Sequence, residues 1–218
     1  MPEPESGGRR GGRPLVMALP KGRLLRALEP RLRRLGVPSE MLDESDRSLL
    51  RDVSDALRLL FVKPDDVPVY VAQGAADAGV VGRDVLLEQG QDVFAPLELG
   101  IGRCRLVVAG APDLRLPTDR PVRVATRYPS LTAAHFRRSG RRVDVIELRG
   151  AVELAPSAGL CDLIVDLVET GETLRRNGLV ERETILEVSA VVIANRVAMK
   201  LRAAALRRLL ESLRDGAR

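Results

Sequence analysis

The chain has 218 residues and a formal net charge of +5; 45% of its residues are hydrophobic, 30% are charged and only 2% are aromatic. This composition is typical of a globular protein with an aliphatic core, and the length allows one large domain or two small ones. No apolar run approaches the roughly 20 residues that a membrane-spanning helix needs, which argues against a membrane protein.

The two ends of the chain say little about a ligand. Residues 1–13 are rich in Gly, Pro and Arg and lack the apolar segment of a signal peptide, so we expect a disordered tail and a cytoplasmic protein. Residues 196–218 hold seven basic and two acidic residues, and this difference of +5 equals the net charge of the whole chain. Their regularly spaced apolar residues predict an amphipathic helix with a solvated basic face rather than a nucleic-acid site.

Strands and helices alternate between these ends. Predicted strands lie at 15–19, 56–62, 78–81, 105–109, 122–125, 143–148, 163–167 and 186–194. Predicted helices lie at 22–35, 64–73, 83–90, 130–139, 151–158, 172–177 and 196–214. The alternation predicts an α/β fold with mostly parallel sheets. Chain crossings near 100–125 and 182–190 predict two lobes with a ligand cleft between them, with domain I at 14–100 and 187–218 and domain II at 101–186.

The first strand-to-helix turn, "LVMALPKGRLLRAL" (15–28), carries a candidate anion site. Lys21, Gly22 and Arg23 stand at the helix start, where backbone amides point outward and anion binding is physically favourable. A solvated basic helix start is the alternative, and the sequence alone leaves both open.

Two later turns have the same character. Gly82 and Asp84 stand at the end of a strand, the edge at which open α/β sheets bind ligands, although a structural turn would also need the glycine. Thr126 follows the strand of "VATRYPSLTAAHF" (124–136), where Ser130 is a candidate helix cap. The only histidine, His135, lies in mid-helix, which argues against a Ser-His-Asp triad or a histidine-based metal site.

The stretch "DLIVDLVETGETLRRNGL" (162–179) combines an acid with a phosphate-binding pattern. Asp166 stands at the end of a buried strand, and Thr170 to Thr173 follow as a loop whose hydroxyls and amides can cradle a phosphate. A carboxylate beside a phosphate must face a different group, and hydroxyls of a ribose are its natural partners. Glu153 in "GAVELAP" supplies a second acid, so a ribose 5-phosphate would satisfy both halves.

Four segments in the same order resemble one family over residues 14–214: "ALPKGRL", "VPVYVAQGAADAGVVGRDVL", "VATRYPSL" and "GAVELAPSAGLCDLIVDLVETGETLRRNGL". The family is ATP phosphoribosyltransferase, the first enzyme of histidine biosynthesis. The resemblance implies a two-lobed α/β fold like that of the type II periplasmic binding proteins, with a central cleft. It also implies transfer of the phosphoribosyl group of phosphoribosyl pyrophosphate to N1 of ATP, with Mg²⁺ as the cofactor.

The resemblance also implies roles for individual residues. The implied catalytic residues are Glu153, Asp166, Arg47 and Lys63. The implied phosphoribosyl-binding residues are Glu169, Thr170, Gly171, Glu172 and Thr173. The residues implied for ATP or pyrophosphate are Lys21, Gly22, Arg23, Gly82, Asp84 and Thr126. No metal ligand is expected from side chains, because Mg²⁺ would bind mainly through substrate phosphates.

Some positions depart from the family's commonest pattern. Lys63 stands where arginine is common, so a bidentate fork becomes a point charge. Val69 replaces a frequent threonine, Ser130 a frequent asparagine, and Cys161 an alanine. These departures remove no charge from the expected ribose-phosphate site and leave the contacts to ATP less defined.

The length of the chain bears on its partners. It ends soon after the C-terminal helix, where longer family members continue into a histidine-binding domain, so it resembles the short form. We therefore expect a homodimer, and a hetero-oligomer with a regulatory subunit similar to histidyl-tRNA synthetase, without nucleic-acid or membrane partners.

Two other classes of protein remain as alternatives. A non-catalytic two-lobed ligand-binding domain would not need the Thr-Gly-x-Thr loop. A phosphoribosyltransferase for a free base would carry its two acids adjacent in one motif.

Overall fold

The computed structural model describes residues 13–214, so most of the predicted N-terminal tail lies outside the described residues. The strands are β1 (Leu15–Pro20), β2 (Leu50–Ser54), β3 (Leu57–Val62), β4 (Ala78–Gly82), β5 (Phe94–Glu98), β6 (Cys104–Gly110), β7 (Val122–Thr126), β8 (Val143–Glu147), β9 (Leu163–Val168), β10 (Val180–Val188) and β11 (Ala190–Ala194). The helices are α1 (Arg23–Arg34), α2 (Val67–Ala72), α3 (Arg83–Gln89), α4 (Pro129–Arg138), α5 (Glu172–Arg176), α6 (Arg196–Leu201) and α7 (Ala203–Arg214). Short 3₁₀ turns lie at Ser39–Leu42, Pro64–Asp66 and Val152–Leu154.

The strands form two separate sheets. The first has the order β2-β3-β1-β4-β11-β5, and β1 runs parallel to both β3 and β4. The second has the order β10-β6-β9-β7-β8, and β7 runs parallel to both β8 and β9. Parallel neighbours end at the same edge of a sheet, so each sheet has one edge at which three carboxyl ends lie together.

Each sheet buries apolar side chains on both of its faces. β1 and β11 are buried along their whole length, as expected for central strands made of Leu, Val, Ile and Ala. Helix α1 places Leu25, Leu28 and Leu32 against the first sheet in the same core as residues of α7. We call the first sheet with its helices the first lobe, and the second sheet with α4 and α5 the second lobe.

The chain passes between the lobes twice, at residues 99–103 and at Ser189. Because of these two crossings we propose two domains. Domain I consists of residues 14–100 together with the segment after the second crossing, and domain II begins at 101. The second boundary, expected at 186/187, is better set at Ser189, because β10 pairs with β6 as far as Val188.

Several predicted elements differ from the structure. The run 186–194 is two strands in two different sheets, because Ser189 ends one ladder and Ala190 begins the other. The helix expected at 151–158 is only a 3₁₀ turn, and the strands β2 and β5 were not predicted. The sheets are mixed rather than mostly parallel, since β2, β5, β6, β10 and β11 pair in antiparallel fashion.

The predicted C-terminal helix is broken at Arg202. The Arg202 guanidinium points inward and donates hydrogen bonds to the buried Asp77 at 2.8 Å and to the carbonyl of Pro14 at 3.0 Å. Asp77 also accepts hydrogen bonds from Arg13 and from the amide of Val16. The break therefore ties the C-terminal helices to the first strand. Within residues 13–214, no helix is long and apolar enough to cross a bilayer.

Candidate functional site

The carboxyl ends of the parallel strands of the two lobes face each other. Arg23, after β1, donates to Glu169, after β9, at 2.6 Å. Arg127, after β7, lies 3.3 Å from Asp65, which follows β3. The Tyr128 hydroxyl donates to Asp84 at 2.8 Å. These contacts place the residues that follow the strands of both lobes around one cleft.

The cleft contains two separate spaces, a larger one of about 640 Å³ and a smaller one of about 370 Å³. All five phosphoribosyl-binding candidates line the smaller space. Its lining residues are Arg23, Cys104, Glu153, Asp166 and the segment 167–174. Glu153 and Asp166 are separated in sequence, and the 3₁₀ turn at 152–154 brings the first to the end of β9. The arrangement places two acids beside the loop that was expected to hold a phosphate.

Asp166 is half-buried, and among residues 13–214 it forms no salt bridge. Burial raises its pKa, and the nearby Glu153 carboxylate raises it further, whereas the hydrogen bond from the amide of Leu167 and the more distant Arg127 lower it. The carboxyl group thus holds its proton more readily than a solvated aspartate does. It suits a neutral hydrogen-bonding partner, or one that becomes positive, better than an anion.

The two glutamates of the loop are turned to arginines. Glu169 accepts from Arg23 of the first lobe, and Glu172 pairs with Arg176 one helical turn ahead. Their charges are therefore partly neutralised by these two arginines. This pairing reduces the electrostatic repulsion that a phosphate at residues 169–173 would meet.

The loop backbone is open towards the cavity. Gly171 adopts a left-handed conformation with φ 77°, and a Cβ there would lie 3.3 Å from both Arg175 and Glu181. In residues 13–214, the amides of Thr170, Gly171 and Thr173 make no hydrogen bond to the backbone. Successive unpaired amides with threonine hydroxyls are suited to a phosphate group.

The larger part of the cleft lies between α3 and the turn after β7. It is lined by Lys63, Asp65, Asp66, Val85, Glu88, Gln89, Arg127, Tyr128, Glu147, Leu148 and Arg149. Three of these side chains are cationic, so this space can accept a polyphosphate, whereas its acids can meet a metal ion or hydrogen-bond donors. Lys63 is thus separated from Glu153 and Asp166 and lies in the neighbouring space.

Lys21 and Arg47 line neither of these two spaces in the described part of the chain. Arg47 is exposed in the loop at 43–49, which Arg51 holds through hydrogen bonds to four backbone carbonyls. The amide of Gly22 donates to Glu44 of the same loop at 2.7 Å. The anion-binding amide expected at Gly22 is therefore occupied by a carboxylate of the chain itself.

Three residues expected to contact ATP or pyrophosphate have other partners. The Thr126 side chain is fully buried, and its hydroxyl donates to the carbonyl of Val165 and accepts from the amide of Tyr128. The Asp84 carboxylate is 5% exposed and accepts from Tyr128. A Cβ at Gly82 would lie 2.2 Å from Asp84, so the glycine leaves room for that carboxylate. In this structure the side chains of Thr126 and Asp84 do not reach the ligand space.

Several residues of the cleft were not among the predicted site residues: Asp65, Glu88, Arg127, Tyr128, Glu147 and Arg149. Their common signal is a position just after a strand, at the carboxyl end of β3, β7 or β8, or on α3. Cys104 was missed as well. Burial and the nearby Asp84 raise the pKa of its thiol, which keeps it protonated. It therefore contributes packing rather than a nucleophile.

Comparison with known proteins provides independent information on the family of this chain. Residues 63–215, more than half of the chain, match the family model HisG, described as ATP phosphoribosyltransferase. An ATP phosphoribosyltransferase of Sorangium cellulosum is 55% identical over 203 residues, which cover 93% of this chain and 95% of that protein. One of Bacillus licheniformis is 44% identical over 193 residues, covering 88% and 90%.

A solved structure agrees in fold. A chain of the ATP phosphoribosyl transferase (HisG:HisZ) complex from Thermotoga maritima is 36% identical and superposes with a TM-score of 0.82, covering 92% of this chain and 97% of that one. The likeness confirms the fold class predicted from the sequence, a two-lobed α/β fold of the type II periplasmic-binding-protein kind.

Proposed function

This chain belongs to the ATP phosphoribosyltransferase family, and from that premise we propose how its residues carry out the family's reaction. The enzyme transfers the phosphoribosyl group of phosphoribosyl pyrophosphate to N1 of ATP. The products are phosphoribosyl-ATP and pyrophosphate, and the reaction is the first step of histidine biosynthesis.

The smaller space of the cleft is proposed as the phosphoribosyl site. Glu153 and Asp166 would accept hydrogen bonds from the ribose hydroxyls, and Glu169 to Thr173 would hold the 5-phosphate through amides and hydroxyls. The observation that carries this proposal is that both acids and the whole loop line one cavity of about 370 Å³. The pairing of Glu169 and Glu172 with arginines supports it, because the loop then presents few free negative charges.

The reaction does not require a strong base, so a site with two acidic side chains can support it. N1 of adenine is already nucleophilic, and C1 of the ribose becomes positive as pyrophosphate leaves. Glu153 and Asp166 would stabilise that positive charge more strongly in the transition state than in the substrate, which is what accelerates a chemical step.

The larger space is proposed to take the ATP and the leaving pyrophosphate. Lys63, Arg127 and Arg149 line its 640 Å³ and would neutralise phosphate oxygens. Lys21, Arg23 and Arg47 are also proposed to contact ATP or pyrophosphate; Arg23 lines the smaller space, and the loop at 43–49 is held beside the start of α1 by the Gly22–Glu44 hydrogen bond. For Thr126, Asp84 and Gly82 we propose a supporting role in place of direct contact, because their polar atoms are engaged within the protein.

Mg²⁺ is proposed as the cofactor. Carboxylate and phosphate oxygens are the ligands that it prefers. Residues 13–214 contain no group of three or more His, Cys, Asp and Glu side chains arranged for a metal, so the ion would take most of its ligands from substrate phosphates and water. When bound there, Mg²⁺ would neutralise charge on the leaving pyrophosphate, while Lys63 and Arg127 orient the same group.

We propose a homodimer that joins a regulatory subunit similar to histidyl-tRNA synthetase in a hetero-oligomer. The support is the likeness to a chain of the HisG:HisZ complex of Thermotoga maritima over 97% of that chain. Gel filtration with and without the regulatory subunit would test this assembly. A cytoplasmic location is proposed as well, since both cysteines are buried free thiols, as is usual in a reducing compartment.

The phosphoribosyl site can be tested by a matched pair of threonine substitutions. Thr173→Val removes a hydroxyl from the proposed phosphate loop, and Thr184→Val removes one from an exposed position on β10. The ultraviolet absorbance of phosphoribosyl-ATP follows turnover in a mixture of ATP, Mg²⁺ and phosphoribosyl pyrophosphate. We expect a KM for phosphoribosyl pyrophosphate about 10- to 150-fold higher in Thr173→Val only, since a hydrogen bond to a charged group contributes about 1.5–3 kcal/mol. Unchanged kinetics in both variants would refute the loop assignment.

A further inference from the structure

A continuous chain of buried hydrogen bonds connects the first lobe with the strand that carries Asp166. The hydroxyl of Tyr128 donates to Oδ2 of Asp84 at 2.8 Å. The amide of Tyr128 donates to Oγ1 of Thr126 at 2.9 Å, and this hydroxyl donates to the carbonyl of Val165 at 2.8 Å. Val165 directly precedes Asp166, so three hydrogen bonds lead from α3 to the proposed ribose site.

Each member of this chain is shielded from water. Thr126 is 0% exposed, Asp84 5% and Tyr128 7%. Water cannot replace a lost partner at such positions, so each bond specifies a geometry strongly. Burial also raises the pKa of Tyr128, and the Asp84 carboxylate acts in the same direction. The phenol therefore stays protonated and remains the donor.

The Asp84–Tyr128 bond is the step that crosses between the lobes. Asp84 lies in the first turn of α3, and Tyr128 stands at the N-terminus of α4. Gly82 leaves the space that the Asp84 carboxylate occupies, since a Cβ there would lie 2.2 Å from its Oδ1. The acceptor is therefore held in one place against the second lobe.

A second contact holds the same two helices together on the side of the larger space. The carboxylate of Glu88, on α3, accepts from the amides of Ser130 and Leu131 at 2.8 and 2.9 Å. Two contacts between α3 and α4 prevent the turn at 126–128 from rotating about either one alone. The position of this turn is thus set by the first lobe as well as by its own sheet.

We propose that Tyr128 is a positioning residue, whose hydrogen bond to Asp84 sets the position of Asp166 relative to the first lobe through Thr126 and Val165. The inference rests on the proposed role of Asp166 at the ribose. It gives a function to Thr126 and Asp84 that direct contact with substrate does not provide.

The first test compares the two tyrosines of the chain. Tyr128→Phe removes only the hydroxyl and keeps the ring in its apolar surroundings, and Tyr70→Phe is the matched change at an exposed position of α2. We expect kcat to fall about ten- to a hundredfold in Tyr128→Phe, the range for a misplaced catalytic group. The KM for phosphoribosyl pyrophosphate should stay within about twofold, because the phosphate loop is not a member of the chain of bonds. Tyr70→Phe should match the wild type.

Conservative variants separate positioning from a general loss of structure. Thr126→Ser keeps the hydroxyl and should retain most of the activity, whereas Thr126→Val should resemble Tyr128→Phe. Asp84→Asn keeps an acceptor oxygen and should retain more activity than Asp84→Ala. Asp84→Ala combined with Tyr128→Phe should be no worse than the more impaired single variant, since both break the same bond. Circular dichroism and thermal unfolding of each variant would show whether it folds.

The outcomes separate this inference from the assignment on which it rests. Wild-type kcat in Tyr128→Phe, alongside an impaired Asp166→Asn, would overturn the positioning role and leave the ribose site intact. Wild-type kcat in Asp166→Asn would overturn the ribose site, and the positioning role would fall with it. Fully additive losses in the Asp84→Ala, Tyr128→Phe double variant would also overturn the inference.

Discussion

The two ends of strand β9 carry one aspartate each, and the two side chains have opposite surroundings. Asp162, before the strand, accepts two hydrogen bonds from the guanidinium of Arg120 at 2.7 Å and one from the amide of Arg123 at 2.8 Å. These contacts lower its pKa to about 2 despite the opposing effect of burial. Asp166, near the other end, is raised in pKa by burial and by Glu153.

This contrast is between an acid that is paired within the fold and one that we propose binds the substrate. A carboxylate that is fully paired stabilises the fold and has nothing left for a ligand. One that is half-buried beside a second acid costs the fold some stability, and such sites are where substrate contacts are found. The difference is invisible in "DLIVD", where the two residues are chemically identical.

The largest expected effect is a loss of turnover, and it should occur when Asp166 is substituted but not when Asp162 is. Asp166→Asn keeps the acceptor oxygen for the amide of Leu167 but removes the charge near the proposed ribose position. We expect kcat to fall about 10²–10³-fold, the range for one positioned electrostatic group. Steady-state kinetics would check this, with Asp162→Asn as the matched control. Equal losses in both variants would remove the distinction between the two ends.

The stability of the fold should instead decrease when Asp162 is substituted. Asp162→Asn leaves Arg120 without its anion and weakens the connection between the starts of β7 and β9. We expect the free energy of unfolding to fall by about 1–3 kcal/mol, because the largely buried side chain of residue 162 loses its charge-assisted hydrogen bonds from Arg120. Chemical denaturation of both variants would measure it. If Asp166→Asn proved the less stable of the two, the comparison would be wrong.

The two acids should also affect stability with opposite dependence on pH. The pKa of Asp162 is about 2 in the folded chain and about 4 when unfolded, so its contribution is present above about pH 4 and disappears as the pH falls towards 2. The raised pKa of Asp166 means that its ionised form opposes folding above about pH 4. Denaturation from pH 7 to pH 2 should therefore show that Asp162→Asn is less stable than the wild type at neutral pH and that this difference in unfolding free energy shrinks in acid. Any higher stability of Asp166→Asn at neutral pH should shrink in acid as well. Deficits and gains that do not change with pH would contradict these directions.

The smallest expected effect is a change in the pKa of Asp166 when the charge of Glu153 is removed. Glu153→Gln removes the negative charge beside Asp166, so the pKa of Asp166 should fall towards its ordinary value, with burial still opposing the change. Carbon NMR of the aspartate carboxyl groups would follow this titration. Glu183→Gln, an exposed change on β10, is the control. A pKa of Asp166 that does not respond would mean that Glu153 is not its electrostatic neighbour.

Much of the candidate site was predictable from local patterns. The Thr-Gly-x-Thr loop, Asp166 at the end of an apolar strand and Glu153 on a separate turn were all named from the sequence, and the structure brings them to one cavity. Such signals are local because a strand's carboxyl end and a following loop are adjacent in sequence. The helix break at Arg202 was missed, since it depends on Asp77, 125 residues away.

The turn after β7 shows the limit of the same reasoning. Thr126 and the loop threonines Thr170 and Thr173 follow strands in the same way, and all three were expected to contact phosphates. The Thr126 hydroxyl is engaged in hydrogen bonds with Val165 and Tyr128, whereas the loop threonines line a cavity. Nothing in either turn's own residues tells the two apart.

What the sequence by itself determined is the set of chemical groups placed after the strands and the family to which they belong. Apolar periodicity sets the strands, and residues that follow a strand are adjacent to it along the chain. The tertiary structure alone decided which of these groups remain free for a ligand. The reason is that hydrogen-bond partners from distant segments occupy some of these hydroxyls and carboxylates, as Arg120 occupies Asp162 and Tyr128 occupies Asp84. Those partners meet only when the sheets assemble.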